Sequence, residues 1–153
     1  MRFDPRALNR FLLLKIPIAW LAGIRVREVS DHRTVLSLRH GWINQNPFGS
    51  VYFGVLVMGG ELATGIPLYR AVSRSGRRVS MLVKEQQAAF HKKATGRIRF
   101  VFEDDGSVAR HLDAAVQTGR KQVFDLRSEA YNEAGEKVAT FVFRWSIKCL
   151  DCS

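Results

Sequence analysis

Cysteine is scarce in this chain of 153 residues: Cys149 and Cys152 are the only two. A lone C-x-x-C, with no second cysteine pair and no closely spaced histidines, lacks the ligand set of a structural zinc site. Nor does the end of the chain supply the strand and helix N-terminus at which a redox pair is activated. Two free thiols, no bound metal and no cofactor are therefore expected. Long uncharged apolar runs are missing as well. The stretch from Phe11 to Ile24 is too short to cross a bilayer and is interrupted by Lys15 and Pro17, while Asp4 argues against a signal peptide. No membrane span and a cytoplasmic location are expected. Internal repeats and low-complexity tracts are absent too.

Acidic residues are few where basic ones are dense. Between positions 70 and 99, Arg70, Arg74, Arg77, Arg78, Lys84, Lys92, Lys93, Arg97 and Arg99 face one acid, Glu85, and the net charge is +10. Solvated basic faces that aid solubility and an anionic partner both account for this. Nucleic acid, a membrane surface and the phosphates of a nucleotide-tailed substrate fit the sign equally.

What is present is the composition of an ordinary soluble protein with a packed core, 46% hydrophobic and 25% charged. Its length suits one domain, residues 1–153, with 1–23 as a helical segment packed on it. Asp4 as N-cap and Pro5 as first helical residue open that segment. Ile24 to Val29 and Thr34 to His40 read as strands joined by a polar turn, and Trp42 to Ser50 as a turn-rich loop. From Val51 to about Val72 the only charges are Glu61 and Arg70, the pattern of a helix enclosed on nearly every side. Gly54, Gly59, Gly60 and Gly65 each cost such a helix up to about 1 kcal/mol, which close contact with a sheet would explain. Pro67 predicts a kink or an end near Gly65. Four strands follow, Arg78–Phe90, Thr95–Glu103, Gln122–Tyr131 and Lys137–Lys148, with a short helix over Ser107–Thr118 and a hairpin turn at Asn132–Glu136. This order predicts an α+β fold, an antiparallel sheet wrapped around a long, glycine-rich central helix.

The segment Asn46-Pro-Phe-Gly49-Ser-Val-Tyr52-Phe-Gly54-Val-Leu-Val-Met-Gly-Gly-Glu61 is the most specific in the chain. It resembles the signature of the hotdog-fold thioesterases of the phenylacetate-pathway and 4-hydroxybenzoyl-CoA type, Asn-x-x-Gly-x-x-His-Gly-Gly followed after six residues by Asp or Glu. Asn46, Gly49, Gly54 and Glu61 fall on signature positions without a gap. Tyr52 replaces the histidine and Phe53 the first glycine, which points to a separate hotdog branch. The resemblance implies a hotdog fold, hydrolysis of an acyl-CoA or related thioester, and assembly into dimers or tetramers.

Chemistry agrees with that implication. Thioester hydrolysis needs a group that activates water or attacks the carbonyl, and donors for the developing oxyanion. Glu61, the lone acid of the enclosed segment, would have its pKa raised by desolvation toward a base's working range; a structural carboxylate paired with arginine or accepting backbone hydrogen bonds is the alternative. Gly54, near the helix start, offers a free backbone N–H, or else serves packing. Phe53 also retains its N–H. Seven residues separate Gly54 from Glu61, about 10 Å along the axis, so one carbonyl reaches both only across two chains related by a twofold axis. Asn46 either orients the partner's carboxylate or holds its own loop. Tyr52 offers a hydroxyl to substrate or joins the core. Gly49 and Phe53 complete the substrate-binding segment, and Arg77, Arg78, Lys92 and Lys93 are candidates for coenzyme A phosphates. His91, flanked by lysines, reads as a surface residue. Loss of the histidine leaves a second function open, a non-catalytic acyl-CoA-binding or scaffold protein. A nucleic-acid binder rests on net charge alone, and no nucleic acid is expected as partner.

Overall fold

In the computed structural model, which describes residues 2–152, the chain begins with helix α1, Pro5–Lys15, capped by Asp4, whose carboxylate accepts from the Ala7 N–H at 2.9 Å. Leu8 and Leu12, one turn apart, are its buried residues, so a single apolar stripe seats it on the domain. Pro17 then opens a short second helix, α2, Pro17–Leu21.

Strands β1, Arg25–Val29, and β2, Arg33–Arg39, form a hairpin and are followed by a 3-10 turn at Trp42–Asn44. Helix α3 runs from Phe53 to Ser75. Then come β3, Val79–Phe90; β4, Arg97–Glu103; α4, Ser107–Thr118; β5, Gln122–Tyr131; and β6, Lys137–Cys149. All six strands join one sheet in the order β1-β2-β4-β5-β6-β3, each pairing antiparallel. The sheet wraps around α3, which is the hotdog fold.

Alternation in β6 sends Phe141, Phe143, Trp145 and Ile147 inward, all buried, and Arg144 outward. Against this aromatic floor α3 can lie only where it has no side chain. A Cβ on Gly59 would come within 2.3 Å of the Phe100 ring, and one on Gly60 within 2.5 Å of Phe141. These two glycines therefore trade helix propensity for close approach to the sheet. Ser128 of β5 fastens the contact, its hydroxyl donating to the Gly60 carbonyl at 2.8 Å.

Two expectations need correction. Pro67 does not end α3, which continues two further turns to Ser75. The ring removes one hydrogen bond, at a cost of about 3 kcal/mol. Beyond it, Leu68 and Val72 are buried, and each such side chain contributes roughly 1.5–3 kcal/mol, enough to offset that loss. Second, Cys149 and Cys152 are not free thiols but a disulfide. The turn between them is pinned to the start of β3, where Leu150 N–H donates to the Arg78 carbonyl at 2.7 Å and Arg78 N–H donates to Asp151. That tertiary anchor brings the Cα atoms to 5.4 Å, within disulfide range.

β3 pairs with β6 on one side and, among the described residues, has no strand on the other. It is twelve residues long and leaves the sheet with one extended free edge.

Candidate active site

Glu61 lies on the side of α3 that faces α1 rather than on the side pressed to Phe100. Its carboxylate enters a cavity of about 180 Å³ whose walls are otherwise almost wholly apolar. Leu8 and Leu12 of α1 roof it, Gly65 and Ile66 continue the α3 wall, and Met81 and Trp145 close it from the sheet. No hydrogen bond or ion pair among the described residues reaches the carboxylate. Arg70, the cation nearest in sequence on α3, is engaged by Asp31 at 2.8 Å. Burial without compensation disfavours the charged form and pushes the Glu61 pKa up to about 7. The arginine-paired alternative is thus not what the structure contains.

The backbone around Glu61 is fixed by a polar relay. Trp145 Nε1 donates to the Thr64 hydroxyl at 3.0 Å, and that hydroxyl donates to the Glu61 carbonyl at 2.9 Å. Gly65 leaves room for the carboxylate, since a Cβ there would lie 2.9 Å from Glu61 Oε1.

A second and larger cavity, about 610 Å³, opens at the other end of the same helix. Asn46, Tyr52 and Phe53 line one side, Phe90, Lys92 and Lys93 the other. Aromatic contacts link the two sides: Tyr52 to Phe53 at 4.9 Å and Phe53 to Phe90 at 6.1 Å between centroids. Tyr52 is the N-cap of α3 and gives no side-chain cap. Tyr52 C=O accepts from Val55 and Leu56, so the first turn leaves the Phe53 and Gly54 N–H groups without a partner among the described residues. The Tyr52 ring lies over Gly54, where a Cβ would meet it at 2.8 Å.

Asn46 spends its amide on its own loop. Oδ1 accepts from the backbone N–H of Phe48 at 2.9 Å and Ser50 at 3.3 Å, and Nδ2 donates to Ser50 Oγ at 3.0 Å. Gly49, at φ +77°, supplies the left-handed residue this turn requires. These contacts are those of the loop-holding role.

The sequence candidates are therefore split into three groups. Asn46, Tyr52, Phe53, Lys92 and Lys93 line the larger groove, with Gly49 and Gly54 next to lining residues in the chain but not in its wall; Glu61 lines the smaller cavity, and Arg77 and Arg78 precede β3 at its far end. Across the twelve residues of β3 that far end is roughly 36 Å from Phe90. Within a protomer Lys92 is already paired with Glu136, and Lys93 Nζ reaches the Phe48 carbonyl at 3.2 Å. His91 is exposed, lines the same groove and hydrogen-bonds the Thr140 hydroxyl at 3.0 Å. Sequence reasoning missed lining from outside the signature, Leu8, Leu12, Met81 and Trp145 around Glu61 and Phe90 in the larger groove, and Phe48 from within it. The i, i+4 spacing of Leu8 and Leu12 is a signal that would have shown an inward face of α1, but not which residue it covers.

A family model described as "Domain of unknown function (DUF4442)" matches residues 5–147. No functionally curated protein matches the chain. Among solved structures, PA5026 from Pseudomonas aeruginosa, described as a "Protein of Unknown Function" and "Probable Thioesterase", is 27% identical, with a TM-score of 0.80 over 95% of this chain and 97% of that one. OLEI01261 from Chlorobaculum tepidum, of unknown function, is 19% identical, with a TM-score of 0.82 over 95% and 94% of the two chains. A mutant of the thioesterase PA1618 from Pseudomonas aeruginosa is also 19% identical, with a TM-score of 0.76 over 98% and 97%. The last two likenesses establish the fold alone.

Proposed function

The chain belongs to the DUF4442 family, and from its hotdog fold and the chemistry of Glu61 we propose that it is a homodimeric thioesterase acting on acyl-CoA or a related acyl thioester. The observation that carries this reading is the unpartnered Glu61 carboxylate, at a pKa of about 7 in an apolar cavity. A structural acid would be expected to have a counter-ion or backbone donors. A general base near neutrality is what hydrolysis requires.

The free edge of β3 supports the dimer. Met81, near its start, lines the Glu61 cavity, and Phe90, at its end, lines the larger groove. Antiparallel pairing of two such edges about a twofold axis would oppose these ends. Glu61 of one protomer would then face Gly54 of its partner, and Arg77 and Arg78 of one would approach Lys92 and Lys93 of the other. The first pairing would complete a catalytic site, and the second a basic site for nucleotide phosphates.

In the reaction, Glu61 as carboxylate takes a proton from water while the water oxygen bonds to the thioester carbon. The Gly54 N–H of the partner donates to the resulting oxyanion. The C–S bond then breaks, the thiolate takes the proton from Glu61, and a free acid and a thiol leave. The cavity beside Glu61 suits the acyl portion. A cavity of about 150 Å³ holds benzene, so this one accommodates roughly six or seven carbon atoms in one protomer.

A panel of acyl-CoA substrates of different chain type, assayed with wild type and Glu61→Ala, tests the proposal. Turnover abolished in a variant that still dimerises is expected; turnover retained by that variant would remove Glu61 from the mechanism. One observation favours a non-catalytic acyl-CoA-binding protein instead. The ring of Tyr52, which stands where the signature has histidine, covers Gly54. Calorimetric binding of acyl-CoA with no turnover anywhere in the panel would select that reading.

A further inference from the structure

The inward face of α1 roofs the Glu61 cavity, but none of the described residues covers its outward face. Leu14 is 69% exposed, and on α2 Ile18 and Leu21 are 62% and 56% exposed. Beside α2 the 3-10 turn adds Ile43 and Trp42, the latter 86% exposed. These residues do not protrude because the loop is loose. Asn44, buried, ties the turn to the end of α2 by donating to the carbonyls of Ala22 and Arg39, both at 2.9 Å, and accepts from Gly41 N–H at 2.9 Å. A satisfied, fixed loop thus holds an indole in water next to an aliphatic helical face. Water alone gives no reason for that arrangement.

The charge around this face is predominantly positive, with Asp4, the exposed N-cap of α1, the one acid that lines the same surface hollow as Arg6 and Arg10. Residues 5–27 contain five basic residues and no acid, and positions 35–60 contain no acid either. Arg6 and Arg10 are exposed one turn apart on α1, with Lys15 at its end. None of the three takes part in an ion pair among the described residues.

We propose that α1, α2 and the Trp42 turn form a docking surface for an anionic lipid bilayer, lying in the plane of the membrane interface. No helix among the described residues is long and apolar enough to cross a membrane. The two helices have the composition of an interfacial element instead, aliphatic side chains and an indole flanked by cations. A second copy of the chain fits this face less well. In a twofold contact the patch meets itself, setting Arg6, Arg10 and Lys15 of both copies close together against a single acid, Asp4, from each. A nucleic acid would answer the cations but leave Leu14, Ile18 and Leu21 in water. Since α1 also roofs the Glu61 cavity, docking would bring that cavity to within about one helix diameter, 10–12 Å, of the lipid.

Co-sedimentation of the full chain with phosphatidylcholine vesicles, with and without phosphatidylglycerol, tests the surface without reference to hydrolysis. Binding is expected to the mixed vesicles and not to phosphatidylcholine alone, weakening as salt is raised. Arg6→Glu with Arg10→Glu should reduce it at least about twentyfold, from roughly fivefold per cation removed. Leu14→Ser with Ile18→Ser should reduce it comparably at an unchanged melting temperature. Tryptophan emission should shift to the blue on binding, and Trp42→Phe should abolish the shift. Absence of binding at low salt, or equal binding by the serine variant, would overturn the proposal. So would a change in sedimentation-equilibrium mass in that variant with vesicle binding intact, since the face would then belong to a second copy. Loss of thioesterase activity has no bearing on these readouts, so the two proposals fail separately.

Discussion

The indole N–H of Trp145 and the hydroxyl of Thr64 meet at 3.0 Å, in a buried contact between the middle of β6 and the middle of α3. Because the same hydroxyl donates to the Glu61 carbonyl, the sheet fixes the helical turn that aims the carboxylate. Thr64→Val keeps the shape but leaves the buried indole N–H unpaired. A loss of about 1–3 kcal/mol in stability is expected, measured by urea unfolding. A loss below a few tenths would show that the relay is not formed.

The glycines of α3 give a second test, because propensity and packing predict opposite signs. Alanine in a helix is worth about 1 kcal/mol more than glycine. At Gly60, however, the added methyl would enter the Phe141 ring, which lies on the floor of the core and cannot withdraw to solvent. Gly60→Ala should therefore destabilise by about 1–3 kcal/mol, the range for overpacking, with a correspondingly lower melting temperature. A stabilised variant would contradict the close approach of α3 to the sheet.

Much of this architecture was legible because its causes are local. Asp4 and Pro5 announce α1, the alternation of Phe141, Phe143 and Trp145 announces β6, and the uncharged run around Glu61 announces an enclosed helix. Pro67 misled because its local cost is visible in the sequence while the burial of Leu68 and Val72 is not. The cysteines misled for a similar reason, since the turn that joins them is held by Arg78, far away in the chain. At the site, the signature located Glu61 and Gly54 but said nothing of the walls. Leu8, Met81 and Trp145 come from three other elements and meet only in three dimensions.

The raised pKa of Glu61 has a consequence for stability. In the unfolded chain the group titrates at its ordinary 4.5, and in the folded protein at about 7. The folded state thus holds its proton more tightly, and this favourable contribution is full below about pH 4.5 and disappears as pH rises through 7. A shift of that size corresponds to on the order of 3 kcal/mol. Glu61→Gln cannot ionise, so its stability relative to wild type should rise between pH 5 and pH 8 and then level off. Denaturant unfolding at several pH values measures it. Parallel pH profiles for the two proteins would place Glu61 in water rather than in the cavity.

Under the proposed mechanism the same ionisation governs turnover: kcat should rise with pH through about 7, as the carboxylate becomes available to accept a proton. The proposed phosphate contacts should act on a different constant. Lys93, whose ammonium reaches only a backbone carbonyl within its protomer, is more available to an anion than Lys92, which Glu136 already neutralises. Lys93→Ala should raise KM for acyl-CoA about threefold to fivefold, the worth of one exposed charge pair, and leave kcat unchanged. An acyl thioester of pantetheine, which lacks the nucleotide phosphates, should show no change in KM. Equal changes with both substrates would mean that Lys93 shapes the groove and does not bind phosphate.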